Sequence, residues 1–181
     1  MSNWLIYTIG FIAQILFSSR LIIQWISSER EKRVITPTLF WTLSLIASFL
    51  LFIYGYLRND FAIMLVQALT YFIYIRNLQL QNQWQKFHWL TRYLLLSAPT
   101  LIVIYYFNNN VIDKDLLFKN EAIPNWLLWL GIISQVVFTL RFVYQWLYSE
   151  RKKTSSLPLG FWLLSLVGSI LILTYAVYRK D

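Results

Sequence analysis

The chain reads as an all-α integral membrane protein, and three observations lead there. Hydrophobic residues make up 58% of it, charged residues only 13%, and mean hydropathy is +0.52, far from the balance of a soluble domain. Six apolar stretches are each long enough to cross a hydrocarbon layer of about 30 Å, which takes roughly 20 helical residues. Finally, Gly10–Asp60 aligns without a gap on Gly131–Asp181, giving 22 identities over 51 residues. Chance similarity between oily helices matches Leu with Ile. Here Gln14, Arg20, Gln24, Trp25, Glu29, Arg30 and Pro37 recur as Gln135, Arg141, Gln145, Trp146, Glu150, Arg151 and Pro158. This is an internal duplication of a hydrophobic unit, the hallmark of repeat-built membrane folds.

The six predicted transmembrane helices fall at about Trp4–Ile26, Thr38–Leu57, Phe61–Leu78, Trp89–Phe107, Asn125–Tyr148 and Leu159–Tyr178. The runs are long and alternate only weakly, which favours helices over the alternating ten-residue strands of a barrel. The first begins at Trp4 without a basic leader or a small-residue cleavage site, so it is expected to be a retained anchor. The second and the sixth each start just after a proline, Pro37 and Pro158. The third opens with the apolar run Phe61–Val66, and the fourth follows the chain's single histidine, His88.

Orientation follows from the 16 Lys and Arg. Nine, including Arg30, Lys32, Arg33, Arg76, Lys86, Arg92 and Arg151–Lys153, fall on one side; five, among them Arg58, Lys114 and Lys119, fall on the other. The positive-inside rule places the nine in the cytoplasm and both termini outside. Trp25, Trp41, Trp146 and Trp162 at one face, with Trp4, Trp126 and Trp129 at the other, suit an aromatic belt. The net charge of +8 is then a juxtamembrane feature, and nucleic acid is not an expected partner.

Because both copies start on the same side they run parallel, so the span between them inverts the chain. The expected arrangement is 3+1+2: residues 1–80 form a three-helix repeat, 81–124 a linker with an inverting helix and an outer loop, and 125–181 a second repeat without its third helix. Either a further helix belongs there, or a partner helix or second copy fills the groove; a homodimer is one form of this.

On helices, Gly10, Gln14, Phe17, Arg20, Gln24 and Ser28 share one face, repeated as Gly131, Gln135, Phe138, Arg141, Gln145 and Ser149. The third helix adds Gln67, Tyr71, Tyr74 and Asn77. Polar groups in hydrocarbon usually turn to the bundle interior, so these stripes are expected to meet at an internal cavity or seam. Candidate substrate-binding residues are therefore Gln14, Arg20, Gln24, Gln67, Tyr74, Asn77, Gln135, Arg141 and Gln145. The arginines are the sharpest signal. A mid-span guanidinium costs about 2.5–3.5 kcal/mol on insertion scales, yet it is present twice. Two readings stand open: a forked donor for an anionic headgroup, or a side chain that snorkels to the nearby interface. The serines read first as helix-packing residues, and the Ser-Glu-Arg turns as solvated loops.

All eight acidic residues lie outside the spans, which argues against a carboxylate proton relay. There is no cysteine, no His/Cys cluster, no paired carboxylate and no Gly-rich phosphate loop, so no metal site, cofactor or catalytic constellation is expected.

The string GxxxQxxFxxRxxxQWxxSER, followed by PxxFWxxS and then by Gln67 and Tyr74–Leu78, resembles the lipid A biosynthesis N-terminal domain family. That membrane module is named for its fusion to lipid-A-disaccharide synthases, and it is similar to the wider PQ-loop, SWEET and SemiSWEET group of three-helix-bundle transporters. The Pro-Gln pair that names the PQ-loop group is absent. The resemblance implies a multi-pass protein of a bacterial inner membrane. It also implies a non-enzymatic role in lipid A or glycolipid assembly, binding and translocating an anionic lipid or lipid-linked sugar. Two alternatives are an accessory anchor for a separate cytosolic glycosyltransferase, and a SWEET-like small-solute facilitator.

Overall fold

The computed structural model describes residues 3–58, 61–108 and 124–179, and all regular structure among them is helical. The elements are α1 (Asn3–Glu31), α2 (Thr38–Leu57), α3 (Phe61–Leu80), a 3-10 turn at Trp84–Lys86, α4 (Trp89–Asn108), α5 (Asn125–Lys152) and α6 (Leu159–Arg179). α1, α2, α5 and α6 are long and apolar enough to cross a membrane, and α4 holds a shorter apolar stretch, Trp89–Tyr105. α3 has the length of a span, at 20 residues, but carries Gln67, Arg76, Asn77 and Gln79. The expected outer loop with Lys114 and Lys119, and the repeat-closing pair Asp60 and Asp181, lie outside the described residues.

α1 and α5 run on past the expected spans, into their basic turns. Each stops at a lysine in the left-handed region, Lys32 (φ 49) and Lys153 (φ 54). At the first, Arg33 N–H donates to the Ser28 carbonyl (3.2 Å) and Lys32 N–H to that of Glu29 (3.3 Å). That pair of bonds is a Schellman cap, whose left-handed position is normally glycine. The chain then re-enters a helix through a proline. Pro37 is extended (φ −61, ψ 151), and its carbonyl receives the N–H of Phe40 at 2.9 Å, as Pro158 receives Phe161 at 2.9 Å. The two copies therefore turn in the same way.

The chain divides into two compact units, Met1–Ile112 with Lys153–Ser155, and Asp113–Lys152 with Ser156–Asp181. In the first, α1 and α2 are antiparallel: Gly10 lies against Tyr54, and Arg20 against Ser44. A Cβ at Gly10 would stand 2.9 Å from the Tyr54 ring, so glycine is what lets that ring lie on the α1 backbone. α3 packs along α2, pairing Trp41 with Tyr74 (ring centroids 6.0 Å) and Phe49 with Tyr71 (6.2 Å). α4 closes this core, with Ile102 and Val103 against Phe52 and Met64. In the second unit α5 and α6 repeat the hairpin, with Gly131 against Tyr175 and Gly168 against the backbone of Phe138.

Burial separates the copies. Trp41, Leu45 and Phe52 are 0%, 3% and 2% exposed, whereas their counterparts Trp162, Leu166 and Leu173 are 37%, 59% and 65% exposed. The cause is α3. It covers this face of α2, and no described helix of the second unit does the same for α6.

Candidate functional site

The guanidinium of Arg20 is built into the first unit. Phe17, one turn earlier on the same face, lies under it at 4.6 Å, with Phe40 of α2 at 5.1 Å and Tyr74 of α3 at 5.6 Å. Its Nη1 donates to Ser44 Oγ (2.6 Å) and Tyr74 Oη (3.2 Å). The residue is 6% exposed. Cation–π contacts run from about 0.5–1 kcal/mol at exposed sites to about 2 kcal/mol when desolvated, which offsets part of the cost of holding the charge in an apolar layer.

Arg141 repeats the arrangement with one side open. Phe138, Phe142 and Phe161 lie 3.5, 4.6 and 5.6 Å from its guanidinium carbon, and Nη1 donates to Ser165 Oγ at 3.4 Å. Where α3 presents Tyr74 to Arg20, the second unit has no equivalent helix among the described residues. Arg141 is accordingly half-buried.

Gln24 and Gln145 do a different job. Gln145 Nε2 donates to Ser149 Oγ (2.8 Å) and to the carbonyl of Ser156 (3.0 Å), and Ser156 N–H donates back to Ser149 Oγ (3.2 Å). Gln24, Ser28 and Ile35 make the same set at 3.1, 3.4 and 3.2 Å. Each Gln-Ser pair clamps the turn that joins two helices. Asn77 is fully buried; its Nδ2 donates to the Ile73 carbonyl (2.9 Å), and its Oδ1 accepts from Ser155 Oγ (2.8 Å). The Ser155 carbonyl accepts from Thr36 Oγ1 (3.2 Å), and Gln81 Nε2 donates to the Thr36 carbonyl (2.7 Å). Gln67 is half-buried, and its Oε1 has no hydrogen-bond partner among the described residues.

The expected single polar seam is therefore resolved into parts. Arg20 and Tyr74 meet directly, Gln24 and Asn77 serve turns, and Gln14 and Gln135 are exposed. Gln14 instead lines an open cleft between α1 and α2. The cleft has a volume of about 670 Å³, and Tyr7, Thr8, Phe11, Leu51 and Tyr54 are among its other walls. Beside it, Tyr7 also lines a smaller hollow of about 250 Å³ with Ile6, Leu57 and Arg58.

The sequence pattern of the lipid A biosynthesis N-terminal domain matches residues 9–79 and again 130–181, the two segments that carry the equivalent arginines and turn clamps. The chain belongs to that family. Its second match corresponds, at the spacing of the duplication, to residues 9–60 of the first. Two relatives are the lipid-A-disaccharide synthases of Chlamydia pneumoniae and Chlamydia felis. The first is 30% identical over 182 residues, covering 98% of this chain and 30% of the relative. The second is 31% identical over 185 residues, covering 97% and 30%. This family member thus spans about 30% of the length of the curated relatives it matches. No solved structure matches the chain.

Of the residues around the cleft, Gln14 is a candidate of the sequence reading, whereas Tyr7, Thr8, Tyr54 and Arg58 are not. A signal was present, since Gly10, Gln14, Tyr54 and Arg58 all recur in the second copy, as Gly131, Gln135, Tyr175 and Arg179. It reads as a site only once α1 and α2 are brought side by side.

Proposed function

We propose that this family member is a non-catalytic membrane module of lipid A biosynthesis that binds an anionic lipid or lipid-linked sugar, with the headgroup held at Arg141. The observation that carries the reading is the contrast between the two equivalent arginines. Arg20 is enclosed by Ser44 and the rings of Phe17, Phe40 and Tyr74, whereas Arg141 is half-buried beside a face of α6 that no helix of its unit covers among the described residues. A guanidinium pairs with phosphate or carboxylate through two parallel bonds, and apolar walls strengthen such a pair by excluding water. A lipid headgroup can reach Arg141 from the side of the bilayer. To reach Arg20 it would first have to displace Tyr74. The similarity to part of a lipid-A-disaccharide synthase supports the pathway, and the module's own contribution is recognition of lipid.

In this reading all six helices cross the membrane in 3+1+2 order, with the Arg30–Arg33 and Arg151–Lys153 turns cytoplasmic. The chain has no cysteine, so single cysteines placed in those turns can be labelled selectively; labelling only from outside the cell would refute the orientation. Native mass spectrometry of co-purified lipid tests the function. An anionic lipid or lipid-linked sugar should be retained by the wild type, partly by Arg141→Lys and poorly by Arg141→Gln. Equal retention by all three would refute the site.

A second reading rests on its own observation. Arg30, Lys32 and Arg33, and likewise Arg151, Lys152 and Lys153, stand exposed at the ends of α1 and α5. Such basic turns fit an anchor that holds a cytosolic glycosyltransferase at the membrane. Charge reversal there should abolish co-purification of a lipid-A-disaccharide synthase while leaving lipid retention unchanged; intact co-purification would dismiss the anchor.

A further inference from the structure

We infer that the cleft between the start of α1 and the end of α2 is a second, separate lipid site. It would seat one acyl chain of an anionic amphiphile, with the amphiphile's phosphate at Arg58. The cleft lies entirely in the first unit, at the helix ends opposite the Arg30–Arg33 turn, so it is independent of the headgroup reading at Arg141. Its volume of about 670 Å³ is in the range of small-molecule sites, roughly 300–1,000 Å³. From Trp4 to Gln14 it follows ten residues of helix, a rise of about 15 Å. That is the depth of one leaflet's hydrocarbon, half of a layer about 30 Å thick. Its walls combine Phe11, Leu51 and the tyrosine rings with two hydrogen-bonding side chains, Thr8 and Gln14.

The charge sits where a headgroup would be. Arg58 caps the last turn of α2 and is exposed, and its Nη1 donates to Tyr54 Oη at 2.9 Å. Its guanidinium also lies over Tyr7 at 5.5 Å and over Tyr54 at 5.7 Å. Both tyrosines are walls of the cleft, so the aromatic pair that shapes the apolar groove also fixes the cation at its end. Gly10 completes the arrangement, because Tyr54 can lie against α1 only where there is no Cβ. An apolar channel one leaflet deep with a held cation at its rim matches the two ends of an anionic lipid. A neutral solute would gain nothing from the positive charge, and a free anion would gain nothing from the apolar channel.

The test is native mass spectrometry of the full chain in detergent, titrated with phosphatidylglycerol or phosphatidylcholine, with thermal stability followed in parallel. Phosphatidylglycerol should be retained in preference, and Arg58→Gln should weaken its retention roughly tenfold, as expected for loss of one charge-assisted contact. Phosphatidylcholine binding should not change. Thr8→Trp, which fills the cleft, should lower retention of both lipids without loss of stability. Equal retention of the two lipids by the wild type, or unchanged retention in both variants, would overturn the site. So would displacement of phosphatidylglycerol by inorganic phosphate alone, which would indicate an anion site without a chain. Arg141→Gln separates the two readings. If that variant alone abolishes retention, the cleft fails and the Arg141 site stands; if only the cleft variants act, the reverse holds.

Discussion

The hydroxyl of Tyr71 donates to the backbone carbonyl of Leu95 at 2.8 Å, and the reason lies four residues further along α4. Position 99 is proline, inside the helix. It has no N–H to return to Leu95, so the helix leaves that carbonyl without its normal donor. A side chain of α3 thus repairs a helix defect in α4 and ties the two helices together. Helix breaks in apolar surroundings are tolerated only where a neighbour supplies the missing bond.

Tyr71→Phe should therefore destabilise the protein by about 1–3 kcal/mol, the cost of leaving a buried acceptor unpaired. The same substitution made on Pro99→Ala should cost much less, because alanine restores the N–H. A double-mutant cycle by thermal unfolding in a single detergent measures the difference. Equal costs in both backgrounds would show that the hydroxyl does not serve that carbonyl.

Arg20→Gln should lower stability more than Arg141→Gln. Each guanidinium lies against three rings, but the first also donates at 2.6 and 3.2 Å in a closed core, while the second donates at 3.4 Å and is half-buried. We expect about 1–3 kcal/mol for Arg20 and less than half of that for Arg141. Thermal denaturation of the two variants decides the order. A rise in stability for Arg20→Gln would mean that the cost of burying the charge outweighs its cage.

The turn clamps should differ in the same measurable way. Gln145→Leu removes bonds of 2.8 and 3.0 Å from a fully buried side chain, and Gln24→Leu removes bonds of 3.1 and 3.4 Å. Loss of about 1–2 kcal/mol is expected at Gln145 and a smaller loss at Gln24. Protease sensitivity at 32–37 and 153–158 provides a local readout, and neither site should become more sensitive if the clamps contribute nothing.

Lys32→Gly should stabilise the protein by roughly 1 kcal/mol, since a left-handed backbone strains any residue with a Cβ. The gain should appear as a higher unfolding temperature, and Lys153→Gly should behave alike. Under the anchor reading the same changes would weaken co-purification of a synthase even as stability rises. A loss of stability would show that the lysine side chains hold their turns.

Much of this was legible in the residues. The duplication is visible because Gln, Arg, Trp, Glu and Pro recur in register. The structure repeats those identities as contacts: Gly10 on Tyr54 and Gly131 on Tyr175, Arg20 to Ser44 and Arg141 to Ser165, and Gln24 and Gln145 at their turns. What could not be read was which polar side chains face one another. Helical spacing places Gln14, Arg20 and Gln24 on one stripe, but each stripe meets several neighbours along its length. Gln14 borders an open cleft, Arg20 meets α2 and α3, and Gln24 meets its own turn.

By itself the sequence determined the helices, their hydrophobic character, the repeat and the presence of an arginine within an apolar stretch of each copy, because these depend on composition and on spacing along one chain. Only the tertiary structure decided that the two arginines are unequal, that Pro99 needs Tyr71, and that Arg58 belongs with Tyr7 and Tyr54. Those relationships join residues of different helices, or depend on a helix such as α3 that covers one copy and not the other. Spacing within a helix sets the direction in which a side chain leaves it, and the packing of a neighbour sets what that side chain meets.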